Sequence, residues 1–324
     1  MKLIFPILGL CLAMNCFSFA AAEDARLTTA STIQFATVEQ GADLLAQEDR
    51  FLKSLSRFDC QARLKTDSEV ASSDVGKFSA GQVVAWTADE ETKMREVIAA
   101  VNEKMKPFNL PFPATIKLVK TTGKEEGNAA YCRRNAIIFP ERMTRQRPAS
   151  LQRLLIHELF HVLSSHNPEL RSELYAIIGF TTCQPIQMPP SLRDRKLTNP
   201  DAPQLDAYIK LTVADKAVTA VPVLYASVES YDVKRGGTFF DYLTFRLMAI
   251  EPHEKGWRPL LRDGQPQLLD PTSTPSFHEQ IGKNTRYIIH PDEILADNFV
   301  HLINQTKELA SPEIITSMRK QLAR

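Results

Sequence analysis

The stretch Ser150-Leu151-Gln152-Arg153-Leu154-Leu155-Ile156-His157-Glu158-Leu159-Phe160-His161-Val162-Leu163-Ser164-Ser165 decides how this chain is read. Ser150 is a good helix cap and Asn167-Pro168 a stop, so the spacing predicts a helix over about 151–165. Apolar residues occupy most of its circumference, which places it inside a core. Within it stands H-E-x-x-H. Histidines four residues apart lie one above the other on one helix face, so both imidazoles can reach a single metal ion. Glu158 lies about 100° round the helix, where it can hold a water on that metal without ligating it. A zinc ion in such a place lowers the pKa of its water to about 7 and polarises a carbonyl, while the carboxylate accepts the proton. Buried His and Glu are costly unless paired or metal-bound, so the apolar setting favours the metal over two structural histidines.

A catalytic zinc needs a third protein ligand and an open position. H-E-x-x-H-x-x-G-x-x-H would require glycine at 164 and histidine at 167; Ser164 and Asn167 stand there, which excludes the metzincin pattern. His166, Glu169 and Glu173 follow shortly after the motif. A further candidate is Glu293, in His290-Pro291-Asp292-Glu293-Ile294-Leu295-Ala296-Asp297. Pro291 opens a helix there, and Glu293 and Asp297 share one face. Glu293 can ligate while Asp297 takes the free N–H of a ligating histidine. Acidic residues in a first helical turn also suit the helix dipole, which accounts for Asp292 and Glu293 without any metal.

H-E-x-x-H on one helix and E-x-x-x-D on a later one resembles the gluzincins, the thermolysin-like zinc peptidases. The resemblance rests on these two helices and the position of the strand before the first. It implies His157, His161 and Glu293 as zinc ligands, Glu158 as general base and Asp297 as the carboxylate behind a ligand. It also implies a zincin-like α+β fold, in which the strand preceding the zinc helix lies at a sheet edge. Residues 128–139 hold that position here, and an edge strand can take up an extended peptide through its main chain. The two motifs are further apart than is usual in that family. An oxyanion donor is also required. Tyr287 is the preferred candidate, ahead of Tyr175, Tyr231 and His290. Arg133 and Arg134 sit in the candidate substrate strand and could meet an acidic substrate.

The rest of the 324 residues is organised around these motifs. Lys2, the apolar run Leu3 to Ala22 and the small residues Ala20-Ala21-Ala22 read as a secretory signal peptide over 1–22, cleaved after Ala20 or Ala22. The mature protein would then be secreted or periplasmic. No later run is long and apolar enough to span a membrane. With 39 basic against 38 acidic residues there is no charge excess to recruit nucleic acid. Of five cysteines, Cys60, Cys132 and Cys183 lie beyond the leader, which allows at most one internal disulfide.

Residues 23–80 read as a helical N-terminal region and candidate pro-segment. It has a loose start to 36, a helix over about 38–58, and a polar loop over 65–80 that would be its cleavage region. Residues 81–206 form the core, with a helix opened by Thr87 and Glu90, strands over 114–120 and 129–139, the zinc helix, a helix over about 169–179 and a Pro-rich loop over 184–206. Residues 207–285 read as a β-rich insertion. Residues 286–324 carry helices over about 291–308 and 312–322. The order suits an α+β protein. The expected function is an exported zinc peptidase acting on a peptide or protein. A non-catalytic zinc scaffold and a zinc hydrolase of a non-peptide or cell-wall amide are the alternatives; an intact Glu158 speaks against the scaffold.

Overall fold

A computed structural model describes residues 24–254 and 256–323. The leader reading for residues 1–22 lies outside them. The chain is α+β, with one mixed sheet, one large antiparallel sheet and a two-stranded antiparallel ribbon of Leu261–Arg262 and Gln265–Pro266. The mixed sheet holds β1 (Ala25–Arg26), β2 (Thr32–Phe35), β3 (Thr115–Thr121), β4 (Tyr131–Arg133) and β5 (Ala136–Pro140) in the order β1-β2-β3-β5-β4. β3 lies parallel to both β2 and β5, and the outer strands β1 and β4 run antiparallel to their neighbours.

Side chains alternate across this sheet, so its two faces pack separately. Ile33, Ile116, Leu118, Ile137 and Phe139 join the main core. Val119, Tyr131, Ala136 and Ile138 pack on the other side with Leu45 and Val83. Burial on both faces explains why β5 is apolar throughout. The main core lies under α5 (Ala88–Met105) and α6 (Pro148–His166). The opposite side is covered from the N-terminal segment, where α1 (Val38–Ala46), α2 (Arg50–Ser54), α3 (Arg57–Leu64) and α4 (Ser72–Ala80) follow one another.

Four expectations are corrected here. The helix over 38–58 is three short helices, because Asp49 and Ser56 each break the run and cap a new start through Leu52 N (3.0 Å) and Asp59 N (3.0 Å). The polar stretch 65–80 contains α4, whose Val75 and Gly76 are buried. Residues 23–36 are not loose, since they supply β1 and β2; loss of residues 23–80 would therefore strip two strands from the sheet. The strand read over 129–139 is a hairpin turning at Arg134-Asn135, with Arg134 in the left-handed region.

After α6 come α7 (Pro168–Ile177), β6 (Phe180–Thr182) and the short α8 (Pro190–Arg193) in the Pro-rich stretch. Residues 207–259 form an antiparallel sheet of β7 (Ala207–Val213), β8 (Lys216–Ala226), β9 (Leu243–His253) and β10 (Gly256–Pro259), with β6 at its other edge. One of its faces contributes Ile209, Leu211, Ala220 and Leu247 to the main core; the other packs Val221, Val223 and Met248 against Ile186, Met188 and Leu192. α9 (Pro275–Ile281), α10 (Pro291–Ile303) and α11 (Pro312–Leu322) complete the chain, and Phe160 of α6 packs on Phe299 of α10. Cys60, Cys132 and Cys183 are free thiols. Among the described residues no helix is long and apolar enough to cross a membrane.

Candidate metal centre

Helix α6 starts one turn earlier than its sequence suggests, because Pro148 serves as its first residue. Leu151, Leu155, Leu159 and Leu163 drive one face into the core. That rotation leaves His157 and His161 facing α10. α10 begins at Pro291, capped by His290, whose Nδ1 accepts from Asp292 N at 3.1 Å. Its buried Ile294, Leu295 and Phe299 fix its own rotation. The two apolar stripes together bring Glu293 against both histidines.

Glu293 Oε2 lies 3.1 Å from His157 Nε2 and 3.4 Å from His161 Nε2. Ligand atoms about 2.0–2.1 Å from a tetrahedral zinc sit about 3.3 Å from one another. The three side chains therefore stand at the spacing of a shared ion. The two remaining ring nitrogens point at other carboxylates. His157 Nδ1 is 3.3 Å from Asp297 Oδ1, and His161 Nδ1 is 2.7 Å from Asp292 Oδ2. His161 Nε2 is buried with no hydrogen-bond partner of its own. A buried imidazole nitrogen without a partner calls for a ligand. A His2Glu donor set with an oriented outer shell fits zinc.

The electrostatics point the same way. The carboxyl groups of Glu158, Glu293, Asp201, Asp292 and Asp297 crowd around two imidazoles, and burial pushes Asp201 well above the usual carboxylate range; a divalent cation would offset this crowding. Without a cation the histidines answer it. Burial opposes protonation of His157, yet hydrogen bonds to Asp297 and Glu293 push it up to about 9. His161 is also raised well above the usual imidazole value: burial again opposes, and Asp201 and Glu293 outweigh it. Glu293 is held well below the usual carboxylate range, because His161 and His157 overcome its burial. Glu158 shifts the other way, raised chiefly by burial. It touches the thiol of Cys132, with Sγ 3.4 Å from Oε2.

The remaining sequence candidates fall elsewhere. His166, Glu169 and Glu173 are exposed, and Glu173 accepts from Gln321. Tyr175 is buried and donates to Asp292 Oδ1 at 2.9 Å; Tyr231 donates to Gly237 O at 3.1 Å. Tyr287 stands at the centre, its ring 6.5 Å from that of His157 and 42% exposed. Arg133 is not free to meet a substrate: it bonds Asp49 Oδ2 (2.7 Å), Leu45 O and Gln47 O, pinning the hairpin to the N-terminal helices.

Three site residues escaped the sequence reading. Asp292 had been explained by the helix dipole, but it accepts from His161, Ser164 Oγ (2.6 Å) and Tyr175 together. The signal was Ser164, one turn beyond His161 on the same face. Asn199 and Asp201 come from the Pro-rich stretch and carried no local signal. Asn199 Nδ2 donates to Glu293 Oε1 at 2.6 Å, and Asp201 Oδ1 accepts from Cys132 N at 2.6 Å. A cavity of about 910 Å³ opens beside His161, bounded by Ser164, the β4–β5 turn and residues 200–206. A smaller one lies by Tyr131, Phe240 and Tyr287, and Pro200 and Asp201 line both. No family model, curated protein or solved structure matches this chain.

Proposed function

We propose that the chain is an exported zinc peptidase of zincin-like fold, related in its site to the gluzincins. The observation that carries this reading is the convergence of His157, His161 and Glu293, with donor atoms within 4.8 Å of one another and Glu158 next to His157 on the same helix. His157, His161 and Glu293 would hold the metal. When bound, zinc supplies a Lewis acid that polarises the scissile carbonyl and acidifies a water.

The chain's own residues do the rest. Glu158 receives the proton of the attacking water on its carboxylate and passes it to the leaving amine. Its burial suits this, because a carboxylate starved of solvent is a stronger base. Asp297 and Asp292 hold the two imidazoles in the tautomer that presents Nε2. Asn199 occupies the second oxygen of Glu293 and leaves Oε2 for the metal. The β4 edge supplies main-chain groups for an extended peptide, and Tyr287, whose ring lies 6.5 Å from that of His157, would donate to the developing oxyanion.

The test is a mixed peptide library incubated with purified protein and read by mass spectrometry. Cuts that vanish on chelation and return with one equivalent of zinc support the reading. A protein that holds one zinc and cuts nothing in the library would sink it in favour of a scaffold or a narrower amide hydrolase.

The outer shell makes its own prediction. Asp292→Asn keeps the shape but no longer fixes the His161 tautomer. Zinc affinity, measured by competition with a chromophoric chelator, should fall about 10- to 100-fold. An unchanged affinity would mean that Asp292 serves only to fasten α10 to Ser164 and Tyr175.

A further inference from the structure

Residues 197–203 are fastened at one end and laid across the centre at the other. Thr198 donates from N to Asp59 Oδ1 (3.1 Å) and from Oγ1 to Asp59 Oδ2 (2.7 Å), and its carbonyl accepts from Arg63 at 3.1 Å. From this fixed point the chain runs over the metal centre. Asn199 bonds Glu293, and Asp201 bonds the main-chain N–H of Cys132. Asp201 N in turn donates to Asn199 Oδ1 at 3.0 Å, a local turn that orients both side chains together.

The partner of Asp201 is informative. β4 is the last strand of its sheet and has β5 as its one neighbour there. The N–H of Cys132 points to the open side, since Asp201 takes it. An outward N–H on an edge strand is the group with which an extended peptide adds itself to a sheet. A peptide carbonyl pairing with β4 would need the place that the Asp201 oxygen now fills. Asp201 also sets a carboxylate oxygen within 4.8 Å of Glu158 and Cys132 Sγ. This places a second carboxyl group beside Glu158, which a peptide carbonyl would not.

We propose that Asp201 is an internal occupant of the substrate's main-chain position, and that the Asn199–Asp201 tip is a latch a peptide must displace to reach the centre. The proposal rests on the peptidase reading. The anchoring of Thr198 makes the motion a local one: Asn199 stays on Glu293, and Asp201 swings off β4. Exchange of one hydrogen-bond acceptor for another costs little, and it moves a second carboxyl away from Glu158.

The probe is a dipeptide hydroxamate, titrated into zinc-loaded wild type, D201A and D201N. D201A removes the acceptor that competes for the Cys132 amide, so by the worth of about one hydrogen bond it should bind about tenfold tighter. D201N keeps an acceptor oxygen for Cys132 and should fall between. Hydrogen exchange on the unmutated protein gives a second reading: hydroxamate binding should speed exchange at the Asp201 amide and leave the Cys132 amide protected. If the hydroxamate binds wild type but D201A binds it no better, or if exchange at Asp201 slows on binding, the latch is wrong and the peptidase reading stands. If no variant binds the hydroxamate, the peptidase reading falls and takes the latch with it.

Discussion

Glu158→Gln should lower peptide turnover about 100- to 10,000-fold, the range lost when a positioned general base is removed. Gln has nearly the shape of Glu and still offers an oxygen to the Cys132 thiol, so the packing of α6 on β4 is kept. What it lacks is the ability to take a proton. Because Glu158 is not among the three converging donors, zinc stoichiometry should stay at one. Loss of turnover should appear in kcat, with the hydroxamate affinity preserved within a few fold. The metal-free variant should also be no less stable than wild type. Glu158 is 3% exposed with Glu293 and Asp201 nearby, so neutralising it relieves a buried charge. Turnover that survives the substitution would remove Glu158 from the chemistry. Zinc lost together with turnover would instead make it a ligand.

The parts of this site that could be read from the sequence are those encoded at helical spacing. His157 and His161 are i and i+4 on one helix, Glu293 and Asp297 are i and i+4 on another, and the structure brings the two pairs together. Asp292 was also in view, but one residue supported two explanations, and the dipole needed no partner. Only the buried neighbours Ser164 and Tyr175 separate them. Asn199 and Asp201 were out of reach for a different reason. Their partners Glu293 and Cys132 are remote in sequence, and the intervening prolines erase any periodicity.

In the fold, the long strands and helices were legible, while β1 and β2 were not. Two and four residues are too few to show alternation, and β2 is stabilised by its parallel partner β3 rather than by its own pattern. The run 38–58 misled for the opposite reason. Its apolar spacing continues through Asp49 and Ser56, whose caps end one helix and begin the next.

Arg63→Met should destabilise the protein by about 3–5 kcal/mol, the cost of leaving buried charges without their partner. Arg63 is buried in α3. It grips Glu126 with two bonds of 2.6 and 2.9 Å and Asp59 with one of 2.7 Å, and it lies over the rings of Phe51 and Phe239. Met fills much of the volume but strands both carboxylates. Glu126 is pushed up to about 7 even in the wild type, because its burial outweighs the pull of Arg63. A carboxyl raised in the fold binds its proton more tightly there than in the unfolded chain. Its contribution to stability is therefore complete below the ordinary carboxyl range and is lost as pH rises through about 7. Removing Arg63 takes away the force that opposed the shift, so the deficit of the variant should be larger at pH 8 than at pH 5. Urea unfolding at the two pH values measures it. A deficit independent of pH would mean that lost packing on Phe51 and Phe239, not the stranded charge, sets the cost. The same substitution frees the Thr198 carbonyl and loosens Asp59, the two supports beneath the Asn199–Asp201 tip. If that tip is a latch, Arg63→Met should speed amide exchange at Asp201 even where the global fold is intact, which ties the stability of the N-terminal helices to access at the metal centre.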